Sequence, residues 1–249
     1  MALTMEREAS EDHFLVDTWL SKITGFACFS MRDAATITRI KDFPRGLITI
    51  KLDSASSGSP DLVSNALKRG FKIISFEAAF EGDAFASRIS KNPSSGGGMF
   101  CRDSRPEDEP EVIELAEKSF AYDRFHKDER MPKHISDAIK GAWVKSYFEN
   151  NRATALTIAE SKEKVCGFLL TIEADEKMTI DLVAVDSKHR GQGVATQMFR
   201  FRVDHSGKKK LRVAAGTQLD NTSSTKLYRE WGLTNVGSSV VLHRTELER

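Results

Sequence analysis

Leu47 to Asp53 reads LITIKLD, where aliphatic residues alternate with Thr and Lys in the period of a half-buried strand. Ser59 then supplies an N-cap and Pro60 a first-turn proline for a helix over DLVSNALKR, which Gly70 ends. Lys72 to Glu81 (KIISFEAAFE) returns to a strand pattern. Strand, helix and strand in this order predict a small α/β unit, with the aromatic-rich WLSKITGFACFSM upstream of it. Asn92 to Gly98 (NPSSGGG) can neither pack nor hold a helix and reads as a linker. The chain is therefore expected to divide into an N-terminal α/β subdomain over 1–91 that leans on a larger domain over 99–249.

Beyond the linker, Pro110 to Phe120 predicts an acid-capped helix. Pro132 to Phe148 predicts a second, with Ile135, Ile139, Ala142, Trp143 and Phe148 on roughly one face. The period then falls to two. Ala153 to Glu160, Val165 to Glu173 and Met178 to Val185 predict successive strands, the last two joined by the hairpin turn ADEK. A helix over Gly191 to Phe201, a strand over Lys210 to Ala215, a helix over Thr222 to Trp231 ended by Gly232, and a strand over Val236 to His243 complete the pattern.

With 249 residues, 40% hydrophobic and 29% charged, the chain can bury a sizeable core, which excludes wholesale disorder. Its 37 Lys and Arg against 36 Asp and Glu give a formal charge of +1. No polyelectrolyte attraction to nucleic acid or an anionic membrane follows, so any anion must be bound locally. Cys28, Cys101 and Cys166 are odd in number and lack CxxC spacing, pointing to neither a disulfide framework nor a metal site. The opening residues lack the apolar run of a signal peptide, and no stretch is long and apolar enough to span a bilayer. The expectation is a cytoplasmic protein without metal, nucleic-acid or membrane partners.

One loop carries chemistry. IDLVAVDSKHRGQGVATQMF runs a strand into Arg190, Gly191, Gln192, Gly193, Val194 and Ala195, which open a helix. Small residues let the backbone turn sharply, and free first-turn amides suit a diphosphate. Two glycines after a strand also make an ordinary tight turn, and the third glycine and following acid of a dinucleotide fingerprint are missing. Farther on, NTSSTKLYREWGL places Asn221 at a helix start and Tyr228 two turns later on the same face, roughly 10 Å away. Asn221 also suits an N-cap, and Tyr228 also suits an apolar helix face.

Strand, loop, helix, strand, Asn-started helix with Tyr, then Gly and a closing strand together resemble the GNAT superfamily of acyl-CoA-dependent N-acetyltransferases. The resemblance spans about Met99 to Arg244, including FCRDSRPEDEPEVIELAEKSF as first strand and helix. FAYDRFHKDERMPKHISDAIKGAWVKSYFEN and RVAAGTQLDNTSSTKLYREWG are further similar to the dTDP-fucosamine acetyltransferase group, which acetylates a nucleotide-carried 4-amino-4,6-dideoxy sugar and also carries an extra N-terminal α/β subdomain. Asp123 stands where that pattern more usually has Ser, and Leu233 where it has Phe.

The resemblance implies a mixed, mostly antiparallel α/β sheet flanked by helices, with acetyl-CoA as co-substrate. It implies that the loop Arg190–Ala195 holds the CoA diphosphate and that a backbone amide among Leu182, Val183, Ala184 and Val185 polarises the thioester. Asn221 would contact the cofactor and Tyr228 would protonate the leaving thiolate. Arg124, His126 and Glu173 are the expected acceptor contacts. For the base, Glu173, Asp175, Asp181, His126 or a water chain are all open, and hairpin acids are commonly solvated turn residues. Lys118 to Lys145 holds seven Lys or Arg against four acids, and only the motif-embedded Arg124 stands out, its planar fork suiting phosphate or carboxylate. The implied acceptor is a nucleotide-linked amino sugar, and a homodimer is compatible with it. Acetylation of another small amine or a protein amino group, or a non-catalytic acyl-CoA-binding module, are the competing readings.

Overall fold

The computed structural model describes residues 9–10, 13–53, 60–84, 99–150, 152–208 and 211–246. The N-terminal half contains β1 (Ala9–Ser10), β2 (Phe14–Val16), α1 (Thr18–Thr24), β3 (Cys28–Met31), β4 (Gly46–Asp53), α2 (Pro60–Lys68) and β5 (Lys72–Ala84). Then come β6 (Met99–Asp103), α3 (Glu109–Ser119), α4 (Arg124–Lys127), α5 (Lys133–Phe148), β7 (Ala155–Ser161), β8 (Lys164–Ala174) and β9 (Lys177–Val185). The chain closes with α6 (Val194–His205), β10 (Leu211–Gln218), α7 (Thr222–Glu230) and β11 (Thr234–Glu246). The elements expected from periodicity are present within a few residues. Helix α6 begins at Val194 rather than Gly191, because Gly191 and Gly193 adopt positive φ and cannot continue a right-handed helix. The short α4 has no apolar repeat to announce it; Asp123 starts it by accepting from the amides of Phe125 and His126.

Among the described residues the strands form one sheet in the order β1-β2-β3-β4-β11-β5-β10-β9-β8-β7-β6. Most neighbours are antiparallel, with parallel pairs at β3/β4 and β9/β10. The linker at 92–98 and the cap at Ser59 lie outside the described residues. The strands before and after that linker interleave: β11 pairs with β4 on one edge and β5 on the other, and β5 also pairs with β10 along its length. The N-terminal segment is thus built into the sheet instead of leaning on it. The physical reason is that β4 and β5 do not pair with each other, and β11 supplies the ladder both lack.

Both faces of the sheet are covered. Strands β10 and β11 both run antiparallel to β5 and hence parallel to each other, so α6 and α7 are the crossovers of two βαβ units. They bury Met198, Phe199, Tyr228 and Trp231 against Val213, Ala215, Ala78 and Phe80 on one face. The other face buries Leu156, Ile158, Phe168, Leu170, Leu182 and Ala184 under α3 and α5. Farther along, α1, α4 and α5 converge on Leu47 and Cys28 through Leu20, Phe125 and Ile139. No helix among the described residues is long and apolar enough to cross a membrane. Cys28 and Cys166 are buried, Cys101 is partly so, and burial pushes all three thiols up to about 11.

One buried polar junction ties the loop after α4 to β11. Asp128 accepts from Arg130 Nε at 2.7 Å, His243 Nδ1 at 2.9 Å and Thr245 Oγ1 at 3.2 Å. Burial pushes its carboxyl up, but the hydrogen bonds from His243 and Arg130 outweigh this and hold it well below the usual carboxylate range. His243 is fully buried, and burial keeps its imidazole below its ordinary value. Asp128→Ala leaves these donors without an acceptor and is expected to lower stability in urea by about 3 kcal/mol or more. Because the folded carboxyl is depressed, the contribution is present above the unfolded value of about 4 and is lost as pH falls below it. The wild-type advantage should accordingly shrink from about pH 5 downward. A loss below about 1 kcal/mol at neutral pH would show that the junction is not what holds the loop.

Candidate functional site

Strand β9 ends at Val185, and Asp186 turns the chain by accepting from the Lys188 amide at 3.0 Å, starting a 3-10 turn over Ser187–His189. Gly191 and Gly193 follow with φ of 74° and 75°. A Cβ built on either meets no atom within 4 Å, so the backbone conformation demands glycine while the space beside it is open. Gly193 starts α6 without a side-chain cap. The loop's long side chains are tied back onto its own backbone: Arg190 Nε donates to the Val185 carbonyl and Gln192 Nε2 to the Lys188 carbonyl, both at 3.0 Å. The first-turn amides of a helix with no cap suit an anion, and the expected loop Arg190–Ala195 has this form.

Beside this loop the sheet opens. The parallel ladder of β9 and β10 runs from Lys177/Arg212 to Ile180/Ala215 and stops, although β9 continues to Val185 and β10 to Gln218. The outer edges remain paired: β9 with β8 as far as Val185/Gly167, and β10 with β5 as far as Gln218/Glu77. The inner edges of 181–185 and 216–218 therefore border a gap at the carboxyl ends of two parallel strands, where open α/β sheets take ligands. Only backbone can serve a ligand along most of the β9 wall, because Leu182 and Ala184 pack into one core and Val183 and Val185 against the other.

A bulge lies where the strands part. Leu170 pairs with Leu182 and Thr171 with Ile180, leaving Asp181 as the extra residue. Its carboxylate takes a two-pronged ion pair from Arg152, both contacts at 2.7 Å, and the Trp143 indole N–H at 2.9 Å. Asp181 is thus a bracket for the bend, with its oxygens occupied.

Helix α7 runs back from the far end of β10. Asn221 caps it, accepting from the Ser224 amide at 3.2 Å. Tyr228 lies roughly 10 Å deeper, and the same depth separates Gln218 from Ala215 along β10. The phenol therefore stands near the level at which β9 and β10 part. It is buried, with Phe80 and Trp231 rings at 5.6 and 5.7 Å, and burial raises its pKa well above the ordinary tyrosine value. Trp231 stacks on Phe199 at 4.1 Å and donates to Thr196 Oγ1 at 3.1 Å, fixing α7 against the first turns of α6.

On the opposite face, α4 is anchored beside the opening by Lys127, whose Nζ meets Asp220 at 2.5 Å. His126 does not present a free nitrogen: Nδ1 lies 2.6 Å from Asp123 and Nε2 2.9 Å from Asp137. Burial opposes its charge, but the two carboxylates outweigh this and raise its pKa. A clamped imidazolium cannot accept an acceptor's proton. Lys140 lies under this cluster, 3.8 Å from Asp123 and 4.6 Å above the Trp143 ring, its pKa lowered by burial. Glu173 is also displaced from the expected role. It meets Arg202 at 3.0 Å and Thr171 at 3.2 Å and pairs across the ladder with Met178, roughly 23 Å along β9 from Val185. Asp175 is a turn residue with φ of 50°.

Arg124 points away from that cluster, toward the N-terminal strands. Its guanidinium lies 4.6 Å over Phe125, and Nε is buried without a hydrogen-bond partner. Around it stand Ser30, Arg32, Thr49 and Lys51, none of which was singled out from the sequence. The available signal was the Thr49 and Lys51 alternation in LITIKLD, a polar stripe on a strand whose other face is core. Among the described residues no group of His, Cys, Asp and Glu is arranged to hold a metal ion.

Comparison with known proteins addresses the same segment. Residues 111–233 match the family described as Acetyltransferase (GNAT) family. A relative from Bacillus subtilis (strain 168), "Spore coat polysaccharide biosynthesis protein SpsD", is 29% identical over 139 residues, covering 55% of this chain and 48% of the relative. The chain thus matches about half the length of that relative. Among solved structures, a functionally unknown conserved protein from Staphylococcus epidermidis ATCC 12228 aligns with a TM-score of 0.64 at 10% identity, over 98% of this chain and 96% of its own. A GCN5-related N-acetyltransferase from Kribbella flavida aligns with a TM-score of 0.58 at 11% identity, over 95% and 89%. At these identities the structural likeness establishes the fold. The family match covers the glycine loop and both walls of the opening, so that the segment 111–233 is what the chain shares with the acetyltransferase (GNAT) family.

Proposed function

We propose that the protein is a cytoplasmic N-acetyltransferase that moves the acetyl group of acetyl-CoA onto the amine of a nucleotide-linked amino sugar. The observation that carries the transferase reading is the conjunction of an uncapped, glycine-led helix start with two parallel strands that part beside it. The sugar acceptor is supported by the relative whose name places it in spore coat polysaccharide biosynthesis, and by the arginine that faces away from the CoA side.

Acetyl-CoA supplies an activated acyl group as a thioester. Amides of Gly191 to Ala195 hold its diphosphate, and an unpaired β9 amide between Leu182 and Val185 polarises the carbonyl. The neutral acceptor amine attacks that carbon, the carbon–sulfur bond breaks, and the amine's surplus proton leaves to water, since His126 and Glu173 are engaged elsewhere. Tyr228 gives its proton to the departing sulfur. A phenol made less acidic by burial is fully protonated when needed but is a weak donor to a thiolate, so transfer accompanies bond cleavage and does not precede it.

Acetyl-CoA or CoA is expected to raise the melting temperature, corresponding to about 2.7 kcal/mol at a hundredfold excess over Kd. Gly191→Glu or Gly193→Glu should abolish the shift, since each brings a side chain and a negative charge to a position with positive φ beside open space. Unchanged CoA affinity in folded variants would reject the loop.

Tyr228→Phe keeps the ring packed against Phe80 and Trp231 and deletes only the hydroxyl. The expected result is a fall in kcat on the order of 10² to 10⁴ with CoA binding retained. The raised pKa adds that wild-type kcat shows no alkaline loss from this phenol up to about pH 10. A variant within about threefold of wild type leaves Tyr228 as a core residue and water as the acid.

A further inference from the structure

The N-terminal strands carry a cavity of about 340 Å³ whose lining has no role in acetyl-CoA binding as proposed. Strands β3 and β4 run parallel with Ser30 opposite Thr49, and the two-residue period puts Lys51 on the same face as Thr49. Arg32 follows β3 at the cavity's edge, and Arg124 enters from α4. Three cations, Arg32, Lys51 and Arg124, therefore meet one lining carboxylate, Asp17. One oxygen of Asp17 is already committed, accepting the Leu20 amide at 2.9 Å as the cap of α1.

The polar groups deepest in this lining lack partners. Arg124 Nε and Ser30 Oγ are both buried without a hydrogen bond, and among the described residues no carboxylate forms an ion pair with Arg124. Glu77 and Asp17 act on Arg124 only through their fields, and Glu77 is bonded to Lys51 at 2.9 Å. A buried guanidinium with an orphaned N–H is costly unless an acceptor arrives to meet it. Phosphate oxygens are pure acceptors with several lone pairs, and the planar fork of Arg matches them in pairs.

Position ties the cavity to the opening. Glu77, held by Lys51, lies opposite Gln218, the last residue of β10 on the rim of the gap. From β10 through β5 and β11 to β4 is three strand spacings, roughly 14 Å. An acceptor whose amine reaches the gap thus carries its distal part over β11 and into the lining of β3 and β4.

We infer that this cavity is the acceptor's anion site: Ser30, Arg32, Lys51 and Arg124 hold the diphosphate of the nucleotide-linked substrate, and the N-terminal half selects the acceptor. The inference rests on the proposed amino-sugar reading, and its test separates the two. Inorganic pyrophosphate is titrated calorimetrically into protein saturated with CoA, so that the glycine loop is filled. Wild type is expected to bind one pyrophosphate and to give no heat with acetate. Arg124→Ala and Arg32→Ala should each weaken binding tenfold or more while leaving the CoA-induced melting shift unchanged. Ser30→Ala, which removes a single buried oxygen, should weaken it by a smaller factor and guards against misfolding of the arginine variants.

Absence of pyrophosphate binding to wild type, or equal binding by all three variants, overturns the site. Loss of binding in the variants without thiol release from any nucleotide-linked amino sugar keeps the anion site and rejects the sugar acceptor. Turnover of such a sugar with an unchanged KM in Arg32→Ala and Arg124→Ala keeps the acceptor and rejects the cavity.

Discussion

Two strands lying side by side gain a hydrogen bond with almost every residue they zip, so keeping β9 and β10 apart beyond Ile180 and Ala215 has to be enforced from outside. Their outer edges do this. Strand β8 holds β9 to its end at Val185, β5 holds β10 to its end at Gln218, and the bulge at Asp181 bends β9 away. The Asp181 carboxylate is gripped by Arg152 and the Trp143 indole, which attaches the bend to α5 and the loop after it. The gap is a product of the whole sheet, not of the two strands that border it.

This gives the N-terminal segment a mechanical part in keeping the gap open. Among the described residues β5 is the partner of β10 on that side, and β11 in turn fixes β5 to β4. The same interleaving sets Arg124, which belongs to α4, against Ser30 and Lys51 on N-terminal strands. A cavity lined from both halves cannot form before the sheet closes across them. Asp128 and His243 contribute to that closure, joining the chain after α4 to the last strand through a buried, fully desolvated hydrogen bond.

The charged residues of α4 and α5 sort by what they already touch. Asp123, His126 and Asp137 satisfy one another, and Lys140 lies buried between that cluster and the aromatic face of Trp143. Pairs of this kind fix positions and leave His126 no free ring nitrogen for chemistry. Arg124, one residue from Asp123, has the opposite character because α4 turns it toward the other half, where its N–H finds nothing.

Read alone, the sequence determined the local elements. The two-residue period of β8 and β9, the amphipathic α3 and α5, the glycines at 191 and 193 and the Asn221 cap each follow from steric and hydrogen-bonding rules acting within a few residues. The motif at Arg190–Ala195 and the spacing of Asn221 and Tyr228 were legible for the same reason, since both are confined to one loop or one helix. Three things needed the tertiary structure. The insertion of β5 beside β10 depends on ladders between residues more than a hundred positions apart, which no local period encodes. The fates of His126 and Glu173 depend on Asp137 and Arg202, partners brought close only by packing. The cavity around Arg124 depends on which face of β3 and β4 meets α4, and strand alternation names the two faces without saying what will cover either.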